Sequence, residues 1–517
     1  MKWWYPLIVL PSLVSSVAAQ SITFEDVTST SLLTYPSSIG QFQAVAVGDY
    51  DDDGWEDLCF CGNSVVGVLM FRNLGNKTFE NVTSTVLPAN LPNAAMSLFA
   101  DIDDDGDLDL VFARYVADEV HTCLDYLINT NGTFSEVDSS CKGAEYAARA
   151  GGLVVGDPDR DGDLDIVMTH WFGPGWYFFN SGSLSFAEVA GVRIPGLEIS
   201  RQHWAPVFAD FNNDGWPDLH VAVDVDADYH ARNQGGGYFE NISNQWDSAE
   251  GASDMGIACG DIENDGDLDF FVTNIGHHVL HVNDGSGLFS EESAARGVQF
   301  NGQEGIGWGT AFVDFDHDTD LDLVFVTTGV PWGSLFENDG LGFFSDVTAG
   351  GGMVLQGAGL APIDYDKDGD MDLIIADPSR PYLYENVTPS LVGRHWLQVE
   401  LQGIESNTKG IGARISVTAN GQTMIRELMG SYSFYAGPPV RAHFGLGSAL
   451  LVETLRIEWP SGKIQILNDV AVDQHLVVTE REGVAIPTTS TWGVVIMLIL
   501  IATAGSLVLS RRRAMVQ

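Results

Sequence analysis

Short apolar runs closed by clusters of Asp and Gly recur along most of the chain, as in Ala44 to Val47 before one cluster and Leu323 to Val326 after another. Runs of this length bounded by turn residues predict β-strands rather than helices. One segment repeats. It reads Asp49-Tyr50-Asp51-Asp52-Asp53-Gly54-Trp55-Glu56-Asp57-Leu58 and returns at Asp101, Asp157, Asp210, Asp261, Asp314 and Asp364, at spacings of 50 to 56 residues. Strand, tight acidic turn, strand is the local reading, and a period of this size means supersecondary units that are stacked or set round an axis. A second element follows: an Asn, a Gly-containing turn, then Phe and a Val-Thr-like pair, as in Asn73, Gly75, Phe79, Val82 and Thr83. It predicts a second hairpin, so each unit holds about four strands, the content of a propeller blade.

The Phe of this second element stands at Phe24, Phe79, Phe134, Phe186, Phe239, Phe289 and Phe344, and none follows the seventh acidic segment, where Tyr384 to Thr388 runs straight on. Phe24, Val27 and Thr28 precede the first segment instead. The expectation is that the N-terminal strand completes the last blade and so removes the open edges of an unclosed array; an open solenoid is the alternative. The expected fold is all-β: a seven-bladed β-propeller over residues 20–389, a small β-rich domain over 390–482, and a tail over 483–517 with a transmembrane helix at 492–510.

Charge changes the picture next. Lys and Arg total 24 against 71 Asp and Glu, a formal net charge of −47, while 45% of residues are hydrophobic. A disordered acidic chain lacks such apolar content, so the charge sits on a folded object. That surface repels nucleic acid and anionic lipid headgroups, excluding them as partners, and it attracts cations.

Within each acidic segment, carboxylates stand at positions 1, 3, 5 and 9 with Gly at position 6. Alternate residues of a tightly curled loop converge, so Asp49, Asp51 and Asp53 meet while Gly54 turns the chain; the Trp55 carbonyl and Asp57 close the shell. Asp101, Asp103, Asp105 and Asp109, then Asp157, Asp159, Asp161 and Asp165, then Asp364, Asp366, Asp368 and Asp372 repeat the full pattern. Asn212 replaces a carboxylate among Asp210, Asp214 and Asp218, and Glu263 stands among Asp261, Asp265 and Asp269. The sixth loop has Asp314, Asp316, Asp318 and Asp322, but Thr319 where Gly is wanted. A β-branched residue at positive φ is strained, so this site is expected to be the weakest. Hard oxygen donors in a flexible set suit Ca²⁺ over Zn²⁺, copper or Mg²⁺, and up to seven structural Ca²⁺ ions are expected.

These segments resemble the FG-GAP or VCBS-type repeats of integrin-α-like propellers. The resemblance implies that the carboxylates above ligate Ca²⁺ inside blades and that ligands are met on loops at one face of the disc. Downstream, Trp396-Leu397-Gln398-Val399, Gly410-Ile411-Gly412-Ala413-Arg414, His443-Phe444-Gly445-Leu446-Gly447 and Trp459-Pro460-Ser461-Gly462 follow in order. This is similar to the ASPIC/UnbV domain that follows such propellers in the cartilage acidic protein family and its bacterial relatives. It implies an extracellular calcium-binding protein with an adhesive or matrix-associated role.

Lys2, an apolar run, and the small residues Ser15, Ser16, Ala18 and Ala19 predict a secretory signal peptide over 1–19. The apolar segment at 492–510 runs into Arg511-Arg512-Arg513, which places the C-terminus in the cytoplasm and the propeller outside. Ile486-Pro487-Thr488-Thr489 resembles the bacterial IPTL-CTERM sorting signal, apart from Thr489 in place of Leu. That resemblance implies an exosortase-like processing enzyme and a periplasmic or cell-surface location; a permanent membrane anchor is the alternative. Under it the sequons at Asn76, Asn81, Asn131, Asn241 and Asn386 are incidental. In an oxidising compartment Cys123 and Cys141, flanking a hairpin, are expected to pair, while Cys59, Cys61 and Cys259 read as small core residues.

Export, anchoring and repeated ion sites point to an adhesion or binding module for an extracellular protein or glycan, with no enzyme active site. An extracellular glycan-active enzyme is the alternative, since paired carboxylates serve as acid and base and Trp171, Trp176, Trp204, Trp308 or Trp332 could stack on sugars. The metal loops account for nearly all the carboxylates, however, and large aromatics in blades more often pack between sheets. His170, His203, His277 and His278 lack nucleophile or zinc spacing.

Overall fold

The computed structural model describes residues 22–35, 41–63, 67–89, 91, 93–115, 122–136, 149–245, 253–298, 305–329 and 333–481. The expected signal peptide, the tail with its 492–510 segment, Cys141 and Trp332 lie outside these residues. Among the described residues no helix is long and apolar enough to cross a membrane.

The protein is all-β and propeller-like. Five sheets make up the repeat region: three of four strands, one of eight and one of nine. Each sequence unit supplies an antiparallel meander whose inner strands are almost wholly buried and whose short last strand is largely exposed. In the fifth unit these strands are Asp254–Gly260, Asp269–Asn274, Val279–Asn283 and Phe289–Glu291. In the nine-stranded sheet the meanders of the first and second units touch through the single pair Gly62 and Ala94. In the eight-stranded sheet, Trp171 with Gln202 and Gly173 with Arg201 join the third unit to the fourth. The first strands of the first six units each carry a register shift, as between Ala150 and Gly152, which bends the strand at the axis.

The N-terminal strand Phe24–Asp26 does pair with Pro381–Asn386, with Phe24 opposite Asn386 and Asp26 opposite Tyr384. It becomes the outer strand of the seventh unit's sheet, as the displaced Phe motif predicted. A second device closes the circle. In six of the seven units the Asn opening the second hairpin donates its Nδ2 to the carbonyl at position 2 of the preceding unit's acidic turn: Asn129 to Tyr50, Asn233 to Pro158, Asn283 to Phe211, Asn338 to Ile262 and Asn386 to Phe315. Asn73 of the first unit reaches Tyr365 of the seventh at 2.8 Å.

Beyond Trp396 the chain forms two further sheets. Trp396–Gln402 lies between Ala442–Gly445 and Gln474–Thr479, while Gln422–Glu427, Arg414–Ala419, Val452–Glu458 and Ile464–Val470 form the other in that order. Leu397, Val399, Ile415, Val417, Phe444, Leu455 and Trp459 share its core. Between the two sheets the chain leaves this domain and enters the propeller axis. Ala436–Gly437 pairs in parallel with Val45 and Ala46. Ser433 donates its N–H to the Ile257 carbonyl and accepts from the Thr310 N–H, and Tyr435 donates to the Ala150 carbonyl. Phe434 packs on Trp204 and Trp308 at ring distances of 5.4 and 4.6 Å. Gly430 is required by this close passage, since a Cβ there would lie 2.1 Å from the Val155 carbonyl oxygen.

Candidate metal centres

All seven acidic turns adopt one backbone shape. Position 6 has positive φ throughout: 89° at Gly54, 104° at Gly106, 96° at Gly162, 87° at Gly215, 99° at Gly266 and 91° at Gly369. Thr319 is forced to 92° in the sixth turn, as its place in the repeat predicted. Position 4 also lies in the left-handed region, from 54° at Asp52 to 60° at Arg160, which the sequence reading did not anticipate. The first carboxylate organises the turn by accepting the amides of positions 5 and 6, as Asp49 does from Asp53 and Gly54 at 3.2 and 2.7 Å. The ninth binds the turn to both hairpins: Asp57 accepts from Tyr50 and Asn73, and Asp109 from Ile102 and Asn129.

Several predicted ligands converge. Asp49, Asp51 and Asp53, and likewise Asp157, Asp159 and Asp161, offer oxygens within 4.8 Å of one another; so do Asp101, Asp103 and Asp109, and Asp314, Asp316 and Asp322. The carboxylate at position 3 keeps a buried oxygen without a hydrogen-bond donor at Asp51, Asp103, Asp159 and Glu263. Buried oxygens of this kind, in an all-oxygen set, fit a hard cation. Burial, with the neighbouring carboxylate charges, pushes Asp49 up to about 6, Asp157 to about 7, Asp364 and Asp109 to about 8 and Asp57 to about 9. Basic side chains reach the same loops. Arg72 bonds Asp51 and Asp53 at 2.7 and 2.8 Å, Arg394 lies 2.7 Å from Asp316, Lys77 lies 2.5 Å from Asp366, and Arg296 pairs with Glu263. In the fourth loop Asn212 turns its side-chain oxygen to the Asp214 amide.

The second domain touches every turn. Arg441 meets Glu56 at 3.0 Å, Thr408 donates to Asp104, and Asn407 bonds Asp157. Arg414 donates to the Asp210 carbonyl, while Glu427 accepts the Asp210 amide. Half-buried Arg426 reaches the fifth and sixth turns through the charges of Asp261 and Asp314. Gly447 donates to the His317 carbonyl, and Gln398 donates to Asp364 at 2.7 Å. Glu56, Asp314, Asp364, Arg426 and Arg441 line a cavity of about 100 Å³ at this junction. The second domain therefore covers the acidic-turn side of the repeats. A cleft beside the fourth turn stays open, lined by Arg160, Trp216, Arg232, Arg456, Trp459 and Lys463.

The aromatic residues considered for sugar stacking pack instead. Trp204 and Trp176 are buried, and Trp171 stacks on Trp204 at 5.5 Å beside Phe434. Cys59, Cys61 and Cys259 are free, whereas Cys123 is disulfide-bonded.

The FG-GAP-like repeat family matches residues 49–112, 157–221, 210–272 and 314–375. Every match opens on the first Asp of an acidic turn and runs through the next one. The ASPIC and UnbV family matches residues 403–485. The chain carries FG-GAP-like repeats and an ASPIC/UnbV domain. Its ASPIC/UnbV match begins just after Trp396–Gln402, the middle strand of the three-stranded sheet. Among curated proteins the chain is similar to cartilage acidic protein 1 of Mus musculus, 26% identical over 326 residues, covering 55% of this chain and 48% of that one. The human protein of the same name is 26% identical over 321 residues, covering 55% and 47%. The chain thus spans about half the length of the curated relatives it matches. Solved structures that overlap part of this chain include an Agrocybe aegerita lectin described as recognising non-reducing terminal N-acetylglucosamine, at 20% identity and a TM-score of 0.41, covering 60% of this chain and 80% of that one. A GH74 xyloglucanase from Xanthomonas campestris overlaps at 14% identity and a TM-score of 0.44, covering 71% and 54%. Neither overlap is close enough to carry a ligand across.

Proposed function

We propose that this protein is an exported, surface-held calcium-binding propeller that acts as an adhesion or ligand-binding module rather than an enzyme. The observation that carries this reading is the single oxygen-rich turn geometry repeated in all seven units, with an undonated buried oxygen at the third position in four of them. Ca²⁺ is the proposed ion, in a structural role. The blade count is proposed as seven, each of the two large sheets being read as two blades in edge contact; the separate meanders and the Asn73 to Tyr365 closure support that count. Disulfide-bonded Cys123 supports an oxidising compartment. The apolar 492–510 segment is the proposed anchor.

Each ion at ten times its dissociation constant adds roughly 1.4 kcal/mol, about 10 kcal/mol over seven sites. That equals the whole stability of an ordinary domain. Ligand capture is assigned to the open cleft rather than to the acidic-turn face, because there five cations balance five carboxylates on an otherwise acidic protein and Trp216 lines the wall. The test counts Ca²⁺ in the purified full-length protein by elemental analysis and follows melting before and after EDTA, alongside capture of matrix and cell-envelope polymers. Several bound ions, a melting point lowered by tens of degrees and chelator-sensitive capture are expected. A protein without bound Ca²⁺ whose melting ignores EDTA overturns the reading.

A further inference from the structure

The second and third strands of every unit place one cross-strand pair at the same register. It is Cys59 with Met70, Val111 with Tyr126, Val167 with Tyr177, Phe271 with Leu280, Val324 with Leu335 and Ile374 with Leu383. In the fourth unit it is His220 with His230. Both histidines are buried, at 0% and 1% exposure. Two imidazoles where six sister units place mostly hydrocarbon carry a desolvation cost, and polar partners must offset it.

Those partners are present. The Nδ1 atoms of the two rings lie 2.7 Å apart, and His220 Nε2 lies 3.4 Å from Oδ2 of Asp228. Asp228, 1% exposed, has its other oxygen held by the Val223 amide at 2.8 Å. Asp254, from the first strand of the fifth unit, contacts Asp228 and accepts from Asn274 Nδ2 at 2.8 Å. Two carboxylates and two imidazoles thus meet in a core closed off by Phe270, whose ring lies 4.7 Å from that of His220.

We propose that His220, His230 and Asp228 form a buried site for one borderline transition-metal dication of the zinc class. Their ligand atoms all lie within 4.8 Å of one another. Two imidazole nitrogens and a carboxylate oxygen suit Zn²⁺, unlike the all-oxygen acidic turns. A dication balances the charges of Asp228 and Asp254 together, which explains why two acids share a dry core. The Val223 amide and the Asn274–Asp254 bond orient the ligands from behind, and Asp254 or a water supplies the fourth position. Nitrogen ligands about 2.0 Å from a tetrahedral ion stand roughly 3.3 Å apart, so the two rings separate by a few tenths of an ångström each on loading. Such an ion staples the two central strands of the fourth unit and ties them to the fifth.

The test uses full-length protein stripped of metal, then held in excess Ca²⁺ to occupy the acidic turns. Zn²⁺ is measured by equilibrium dialysis, and Co²⁺ by its visible absorption. One equivalent of Zn²⁺ is expected, with an intense Co²⁺ band from a tetrahedral or five-coordinate site. His220→Val with His230→Leu, which reproduces the pair of the sixth unit, is expected to abolish both while melting as before in Ca²⁺. Asp228→Asn keeps the shape and the acceptor for Val223, and is expected to weaken Zn²⁺ binding at least tenfold; it decides the matter if the double variant does not fold. Wild-type protein that binds no more Zn²⁺ or Co²⁺ than the double variant, or an Asp228→Asn protein that binds like wild type, overturns the proposal.

Discussion

Thr319 shows how firmly the repeat imposes its backbone. Six of the seven turns meet the required positive φ with Gly, and the sixth in chain order reaches 92° with a β-branched residue whose hydroxyl contacts Asp320. Holding such a residue there costs of order 1–3 kcal/mol. Thr319→Gly is therefore expected to stabilise the protein by about 1 kcal/mol and to tighten ion binding at the sixth loop, read as a higher urea midpoint and a calorimetric Ca²⁺ titration; an unchanged midpoint would refute the strain. This much was legible, because Gly and Thr differ in what φ they tolerate. The left-handed position 4 was not, since Asp, Arg, Asn, His and Lys all occupy it and share no side-chain signature. His220 and His230 were equally hidden: ten residues apart, with Asp228 between them, they match no metal spacing, and they stand out only when the units are superposed on their strand register.

At the scale of the element, the Asn that opens each second hairpin does more than mark a turn. In six of the seven units its Nδ2 is shared between the carbonyl at position 8 of its own turn and one in the preceding unit; for Asn73 these are Glu56 and Tyr365, at 3.2 and 2.8 Å. Asn73→Ala leaves two buried carbonyls short of a donor and is expected to cost roughly 3 kcal/mol, with amide exchange speeding up first in the strands of the first and seventh units. Uniform exchange across all units would argue against a closing role. Hairpin and turn were readable from Asn, Gly and Phe spacing, and so was the transfer of Phe24–Asp26 to the last sheet. A bond between residues 292 positions apart leaves no local pattern in the chain.

Over the whole molecule, the acidic turns and the second domain act on each other through charge. In the ion-free chain burial and neighbouring carboxylates raise Asp49 to about 6, Asp364 to about 8 and Asp57 to about 9. The unfolded chain releases these protons near pH 4. Folding therefore takes up protons between about pH 4 and pH 9, and the stability they contribute is lost as pH rises through that window. Protein freed of metal by dialysis is expected to melt higher at pH 5 than at pH 8, and excess Ca²⁺ to reverse the order; calorimetry at both pH values checks this. The covering of the turns was not legible, because Arg394, Arg414, Arg426 and Arg441 are scattered through otherwise ordinary strand sequence. Nor did Met429-Gly430-Ser431-Tyr432-Ser433-Phe434 show any periodicity that would send it into the axis. That inserted segment bears on how the protein is made. The repeats emerge from the ribosome first, and the faces of Trp204 and Trp308 that meet Phe434 stay uncovered until the chain beyond residue 430 arrives as an axle. Chains that stop before that point are expected to expose this unfilled centre and to aggregate more readily than the full-length protein.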